Sequence, residues 1–489
     1  MIGWKRLWQL NARAAAGLCL LVAMAMSATS SAQAAPLDDR LDARVLLHRN
    51  APRGMEYVPL ATATAINGSR RNALNVDVHI KAELDGTAID NVYANVLPLD
   101  FNNNGRFEYL HYNGYNFIQA FNSSGRRVWR ITNPAGRKNS VTAATHRDGA
   151  AILELRGQEK PAGQDVLHCW AEGSQRLLIA RRGITGAELR RAKLDGTATS
   201  SGSVCYISVY RMQSTGKPII LVAHNQPGGN TRCDGKNYVD YWTRVVAFDL
   251  QLNRLWQTDT CHAGHQTAGV DENGDGLTEY FFVGKYALDE NGKIRCTLQG
   301  WNSKDHVDAI RVGQLDPAKP GLQAVAVGQT GMAAFAANDC RRLWSVGSSL
   351  VKNGQELALA QFDPAPAPLS ILVTQRGSEP KPTSYVVSAQ GKLLRNLKRR
   401  IVPLQNAEFD GDRRTDEILS MWGTVDDGFG RQLLSRNWYW NLKGTQVKET
   451  GRQDYDRWAP FPVLFDVDSD GRDEMIVWGQ SLLVVGKLR

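Results

Sequence analysis

No CxxC pair occurs anywhere in this chain, so a structural zinc site built on close cysteine pairs is not expected. The GxSxG elbow of serine hydrolases is missing, and so is the glycine-rich phosphate-binding loop. Long apolar runs are scarce: Leu18 to Met26 is too short for a bilayer, which takes ~20 apolar residues, and no later stretch approaches that length. Helical periodicity is weak throughout, and Ile184 to Leu194 is the one stretch that could carry it. An excess of one charge is also nearly lacking. The formal charge is +9, and Lys5, Arg6 and Arg13 of the leader account for part of it, leaving about +6 on the remainder.

Those three basic residues, the short apolar core and Ala32-Gln-Ala34 read as an export signal over 1–34, cleaved after about Ala34. The remainder, 35–489, is then one periplasmic or secreted domain without a membrane span, expected to be a monomer. Nucleic acid is not an expected partner outside the cell. A polyanion such as an acidic polysaccharide suits the modest basic excess, although a soluble surface with no partner explains it equally well. Six cysteines follow the leader: Cys169, Cys205, Cys233, Cys261, Cys296 and Cys340. An even count in an oxidising compartment points to disulfides.

What the chain has instead is a recurring acidic loop. Asp271-Glu-Asn273-Gly-Asp275-Gly-Leu-Thr-Glu279 places oxygen side chains at alternate positions, then glycine, then a closing acid. Such a loop suits Ca²⁺, which takes six to eight oxygens at roughly 2.3–2.6 Å. Related copies hold Asp100, Asn102, Asn104 and Glu108; Asp410, Asp412 and Asp416; and Asp466, Asp468, Asp470 and Glu474. Each lies between two short apolar runs, so it joins strands, not the helices of an EF-hand. A repeated strand–loop–strand unit indicates a solenoid or propeller.

A second repeat supports the first. Ala120 to Trp129, Ala247 to Trp256, Ala287 to Ile294, Ala334 to Trp344 and Val387 to Leu394 each read as strand, tight turn, strand, with Asn, Asp or Gly at the turn. If the acidic loop is the turn between strands A and B, and this hairpin is C and D, four-stranded units fall near 92–131, 145–195, 203–258, 265–298, 305–346, 355–397, 402–448 and 460–489. The fold expected is an all-β propeller of eight blades, seven if one weak unit is something else. The last unit lacks an outer hairpin. Residues 40–80, including Tyr57 to Ala63, could supply it, so that N- and C-terminal strands close the ring. Sequential pairing Cys169–Cys205, Cys233–Cys261 and Cys296–Cys340 is geometrically plausible in this layout.

Six of the nine histidines project to the end of the ring opposite the acidic loops: His111, His146, His168, His224, His262 and His265. A single histidine there is more often a packed bystander, whereas six point to a site, since histidine titrates near working pH. The long loop Asn225 to Thr243 opens on the same end with Arg232, Lys236, Tyr238 and Tyr241, and Arg244 follows it. Elimination across C4–C5 of a uronic acid needs a cation on the carboxylate, a base for the C5 proton and an acid for the departing O4. Arginine, histidine and tyrosine supply these. His262 and His265, or His111 and His168, could ligate a metal, but no fixed motif accompanies them and a catalytic transition metal is not expected.

Three segments carry a family resemblance: His265-Gln-Thr-Ala-Gly-Val-Asp271 through Gly276, Ala287 to Lys293, and His306-Val-Asp-Ala-Ile-Arg-Val-Gly-Gln-Leu-Asp316 through Leu322. They resemble the rhamnogalacturonan lyases, eight-bladed calcium-containing propellers acting on pectin. Thr145-His146-Arg-Asp148 and Val166-Leu-His168-Cys-Trp170 are more similar to the short ulvan lyases. That second resemblance implies that His146 and His168 exchange the protons, Arg244 neutralises the carboxylate and Tyr241 accompanies it. Arg232 and Tyr238 are alternatives, with His224 and His265 contacting substrate. Structural calcium is implied as well. The second-unit loop Glu154 to Glu159 has lost the ligand pattern, and Ala318-Lys-Pro and Pro364 to Pro368 replace acids in the fifth and sixth, so fewer cations than blades are expected. The reading is a polysaccharide lyase acting by β-elimination on a uronate polymer of ulvan, rhamnogalacturonan or exopolysaccharide type. Its rival is a non-catalytic, integrin-like repeat propeller that binds glycan or protein.

Overall fold

The computed structural model describes residues 61–67, 72–82, 95–104, 108–113, 117–122, 126–133, 150–153, 163–172, 175–197, 205–225, 242–264, 266–303, 305–377, 380–407, 415–420, 424–429, 432–434, 463–465, 474–478 and 483–488. These residues form strands and turns, and no described helix is long and apolar enough to cross a membrane. Eight antiparallel sheets are present among them. Seven are four-stranded meanders spanning 95–132, 150–197, 205–261, 267–297, 307–347, 354–396 and 403–434, with strands A to D in chain order. The eighth joins the two ends of the chain. Val463–Phe465, Glu474–Trp478 and Leu483–Leu488 are its A, B and C strands, Asn72–Ala82 is its D strand, and Ala61–Asn67 adds a fifth.

Burial shows why the sheets stand as blades. Strand A of blade 5 (Val307–Gly313) is buried at every position, and it touches the A strands of blades 4 and 6 on either side. Strand D of the same blade (Arg342–Gly347) is largely open to solvent, as befits an outer edge. Apolar side chains from both faces of each blade pack against the next. One cluster joins Leu110 and Ile118 to Val166 and Ile179, and another joins Val270 and Phe282 to Ile310 and Phe335.

Two devices reinforce these contacts in alternation. Between blades 1 and 2, 3 and 4, and 5 and 6, a strand-D tryptophan reaches the next blade's outer hairpin. Trp129, Trp256 and Trp344 donate their indole N–H groups to the carbonyls of Gly183, Glu290 and Ala389 at 2.6, 2.6 and 2.8 Å. Between blades 2 and 3 and between 4 and 5 the link is a disulfide. Cys169 pairs with Cys205 and Cys296 with Cys340, at Cα separations of 6.5 and 5.9 Å, both as expected. Cys261 is also disulfide-bonded, and Cys233 lies outside the described residues.

One stretch departs from expectation. Ile184 to Leu194 is not helical; most of it forms strand D of blade 2 (Glu188–Thr197). A bulge between Glu188 and Arg190 lets Leu189, Ala192 and Leu194 meet the same core, which mimics helical spacing.

Candidate functional site

The meander decides which residues share an end of the ring. A–B and C–D turns lie at one end, and B–C and D–A connections at the other. The expected site belongs to the second end. His146, Arg232, Tyr238, Tyr241 and His265 lie outside the described residues.

The strand-B histidines hold the expected chain positions but are buried. His111 (2% exposed) sits 3.1 Å from the Gln119 amide through Nδ1, and its ring meets Phe117 edge-on. His168 is fully buried, and its Nε2 accepts a hydrogen bond from Arg181 Nε at 2.9 Å. That bond puts the ring proton on Nδ1, near the Cys169 carbonyl at 3.4 Å. His224 (1% exposed) has Nδ1 3.2 Å from Arg176 Nη1. Burial, followed by the neighbouring guanidinium, pushes His111 and His224 down to about 3 and His168 well below its ordinary range. All three are neutral imidazoles packed within the ring, so they do not line an open mouth.

Arg244 is engaged too. On strand C of blade 3 (Trp242–Phe248) it faces Asp259 of strand D, donating from Nε and Nη2 at 2.6 and 2.8 Å to the two carboxylate oxygens. Nη1 reaches Asp195 of blade 2 at 3.3 Å, and Arg254 joins the same carboxylate at 2.9 Å. The fork that was to hold a uronate already holds Asp259 of its own blade, and Nη1 holds Asp195 across the blade interface.

A different polar group gathers at this end in blades 4 to 7. His306 ends the D–A connection into blade 5, and its Nε2 lies 3.1 Å from Asp308 Oδ1 on strand A. Gln355 of blade 6 approaches the same oxygen at 3.4 Å. Beside it, Glu356 Oε2 accepts from Gln266 Nε2 at 3.1 Å, and Gln266 Oε1 accepts from Arg311 Nη1 at 2.6 Å. All except Gln355 are buried. Burial raises the Asp308 carboxyl, His306 and Arg376 pull it back, and Glu356 adds to the rise. Arg376 and Arg400 are exposed, and their charges reach Asp308 and Glu356 respectively. Gln266, His306, Asp308 and Arg311 fall in segments whose pattern marked them out, whereas Gln355, Glu356, Arg376 and Arg400 do not.

At the opposite end, the loop after strand A of blade 4 folds onto its own amides. Asp271 accepts from Gly274, Asp275 and Gly276, Asn273 from Asp275, Asp275 from Leu277, and Glu279 from Glu272, at 2.7–3.2 Å. In blade 1, Asp100 and Asn102 both accept from the Asn104 amide, and Glu108 accepts from Phe101 N and Asn102 Nδ2. Asp416 instead ties blade 7 to blade 6 through Gln361 N at 2.6 Å. Glu474 lies on its strand, while Asp410, Asp412, Asp466, Asp468 and Asp470 lie outside the described residues. Among the described residues no three His, Cys, Asp or Glu form a group placed to hold a metal. In donor chemistry the two described loops still suit a hard cation. Burial lifts Glu108 to about 8 and raises Glu279, and neighbouring aspartates push both further, a repulsion that a bound cation relieves.

No protein-family model matches the chain. It is 26% identical over 288 residues to the rhamnogalacturonan endolyase YesW of Bacillus subtilis (strain 168), across 50% of this chain and 42% of that relative. To the rhamnogalacturonan exolyase YesX of the same organism it is 27% identical over 284 residues, across 50% and 43%. The matched region thus spans less than half the length of either relative. The crystal structure of YesW superposes with a TM-score of 0.56 at 19% identity, covering 87% of this chain and 74% of that one. The rhamnogalacturonan lyase PL11 of Bacillus licheniformis gives 0.57 at 18%, covering 87% and 75%. At such identities the structural likeness speaks for the fold alone. The chain is an eight-bladed β-propeller that resembles the rhamnogalacturonan lyases in sequence over half its length.

Proposed function

We propose that this protein is an exported polysaccharide lyase that cleaves a uronate-containing polymer by β-elimination. The observation that carries the reading is the sequence likeness to two rhamnogalacturonan lyases over half of the chain. The end of the ring that collects His306, Asp308, Glu356, Arg376 and Arg400 supplies the residue types the reaction needs. A cation neutralises the uronate carboxylate and so acidifies C5–H. A base removes that proton, and an acid protonates O4 as the C4–O4 bond breaks. His146 is our candidate for proton exchange, and Tyr241 our candidate for its companion. His168 can take part only by giving up Arg181, and Arg244 only by giving up Asp259. Disulfides linking successive blades are consistent with export into an oxidising compartment. Calcium in the loops of blades 1 and 4 would act structurally, by holding the A–B turns.

The test is ultraviolet absorbance of unsaturated uronate while the protein meets rhamnogalacturonan, ulvan and acidic exopolysaccharides, with calcium present. A rise on one polymer, lost in His146→Ala with binding kept, is the expected result. In a parallel arm chelation lowers the melting temperature. A site filled at 100 times its Kd adds about 2.7 kcal/mol. No absorbance change with any polymer, alongside binding to one, would leave a glycan-binding propeller in place of a lyase.

A further inference from the structure

Several arginines are matched to carboxylates: Arg191 to Glu172 and Glu188, Arg244 to Asp195 and Asp259, Arg254 to Asp195, and Arg399 to Asp426. Arg376 and Arg400 are not. Both are exposed, and neither forms an ion pair among the described residues. Arg376 opens the B–C turn after strand B of blade 6 (Ser370–Gln375), its backbone fixed by a 2.7 Å bond from its N–H to the Asn353 carbonyl. Arg400 comes from the D–A connection into blade 7 and donates Nε to the Gln375 carbonyl at 3.1 Å. Its guanidinium lies against Gly377, where an added Cβ would sit 3.2 Å from Nη1 and 3.3 Å from Cζ. The two cations are thereby held on one three-residue turn, and among the described residues the Nη groups of Arg400 make no hydrogen bond.

The anions whose charge reaches them are already occupied. Asp308, within electrostatic reach of Arg376, is bonded to His306 and Gln355. Glu356, within reach of Arg400, accepts from Gln266. These carboxylates hold the guanidiniums by field without using their donors. The layer is close to charge-balanced, so it suits a single added negative charge and disfavours a dianion. A planar monoanion that takes parallel N–H donors is a carboxylate.

We infer that Arg376 and Arg400 form a subsite that binds the carboxylate of a uronate unit, with Gly377 leaving the space in which Arg400 lies. This rests on the lyase reading for its polymer, but not on any step of the chemistry. The experiment measures turnover and polymer binding for wild type, Arg376→Gln, Arg400→Gln, the double variant and Gly377→Ala. Lys319→Gln serves as a charge-matched control in the A–B loop of blade 5, at the other end of the ring. Each polymer is also offered as its methyl ester and as a sulfated neutral glycan.

Each single variant is expected to raise KM or Kd for the free-acid polymer by about 10-fold or more, as loss of a charged hydrogen bond does. The double variant is expected to lose more and Gly377→Ala less, with Lys319→Gln unchanged and all melting temperatures kept. The ester is expected to bind wild type as weakly as the acid binds the double variant. If wild type binds the acid without cleaving it and the variants weaken binding, the lyase reading falls and the subsite stands. Wild-type KM and Kd in the double variant would overturn the subsite while leaving the lyase intact. Equal binding of sulfated glycan, or no binding of any free-acid polymer by wild type, would overturn it as well.

Discussion

His111, His168 and His224 each face a guanidinium inside the packing: Arg130, Arg181 and Arg176. A buried imidazole beside a fixed cation stays neutral, and this has a direct consequence for acid stability. For His224 the folded value is about 3 against an ordinary 6.5, with Arg244 and Arg254 adding to the depression and Asp195 opposing it. Between those limits the unfolded chain binds a proton that the folded chain does not. The contribution is therefore fully present above about pH 6.5 and is lost as pH falls, by about 1.4 kcal/mol per pH unit for each such histidine. Urea unfolding of His224→Asn, which keeps an acceptor for Arg176, should show a pH slope flatter by about one proton between pH 6 and 4. An unchanged slope would mean that His224 is charged in the fold. The sequence places these histidines at the correct end of their strands. It does not show that arginines from neighbouring strands and blades would cover them, because that depends on which faces of adjacent sheets meet. Arg244 was legible as a cation and not as a spent one, for the same reason: its partners lie 15 and 49 residues away. Arg376 and Arg400 escaped notice because a basic residue in a turn looks like any solvated surface charge.

The outer hairpins show the opposite case, in which local pattern and tertiary role coincide. Their turn residues announce the C–D hairpin, and the tryptophan that ends Ala247 to Trp256 looks like one more apolar strand residue. Its job is to lock the next blade. Trp256 stacks on Phe281 with ring centroids 5.9 Å apart and covers Gly292 of blade 4, whose φ of 77° lies in the left-handed region. A Cβ at Gly292 would lie 2.4 Å from the indole ring. Gly186 and Gly391 make the same approach to Trp129 and Trp344. Two penalties therefore fall on Gly292→Ala: about 1 kcal/mol for the backbone and a further cost for displacing the ring. Trp256→Ala loses ring packing and a hydrogen bond, about 2 kcal/mol or more. In the double variant the clash term is gone, so the two costs should sum to less than additivity requires. Additive costs in a urea double-mutant cycle would show that the indole does not rest on the glycine. The units were legible because turn chemistry recurs along the chain, in the acidic loops of some units and the outer hairpins of others. The bulged strand Glu188–Thr197 was not, since one extra residue turns a period of two into something close to a helix.

Closure of the ring depends on the strand Asn72–Ala82, which lies between Ala61–Asn67 and Leu483–Leu488 and pairs with both. Residues from the two ends of the chain thus share one sheet, and that sheet touches blade 7 on one side and blade 1 on the other. Without this strand, the C strand of the eighth blade (Leu-Val-Val-Gly-Lys-Leu) becomes an unprotected edge, apolar enough to pair with another copy. Proline distinguishes this closure strand from an ordinary outer strand. Val78 sits in register with Ala61 on one side and Gly486 on the other, so Val78→Pro removes an N–H from the middle of a five-stranded sheet. Leu394 lies on the outermost strand of blade 6 (Leu393–Asn396), is 44% exposed and falls at a register shift, where proline is tolerated. Size-exclusion chromatography and thermal melting should find that Leu394→Pro elutes and melts close to wild type, whereas Val78→Pro melts several degrees lower and elutes partly as aggregate. If the two variants behave alike, the N-terminal strands are an appendage to a ring that the C-terminal strands complete by themselves.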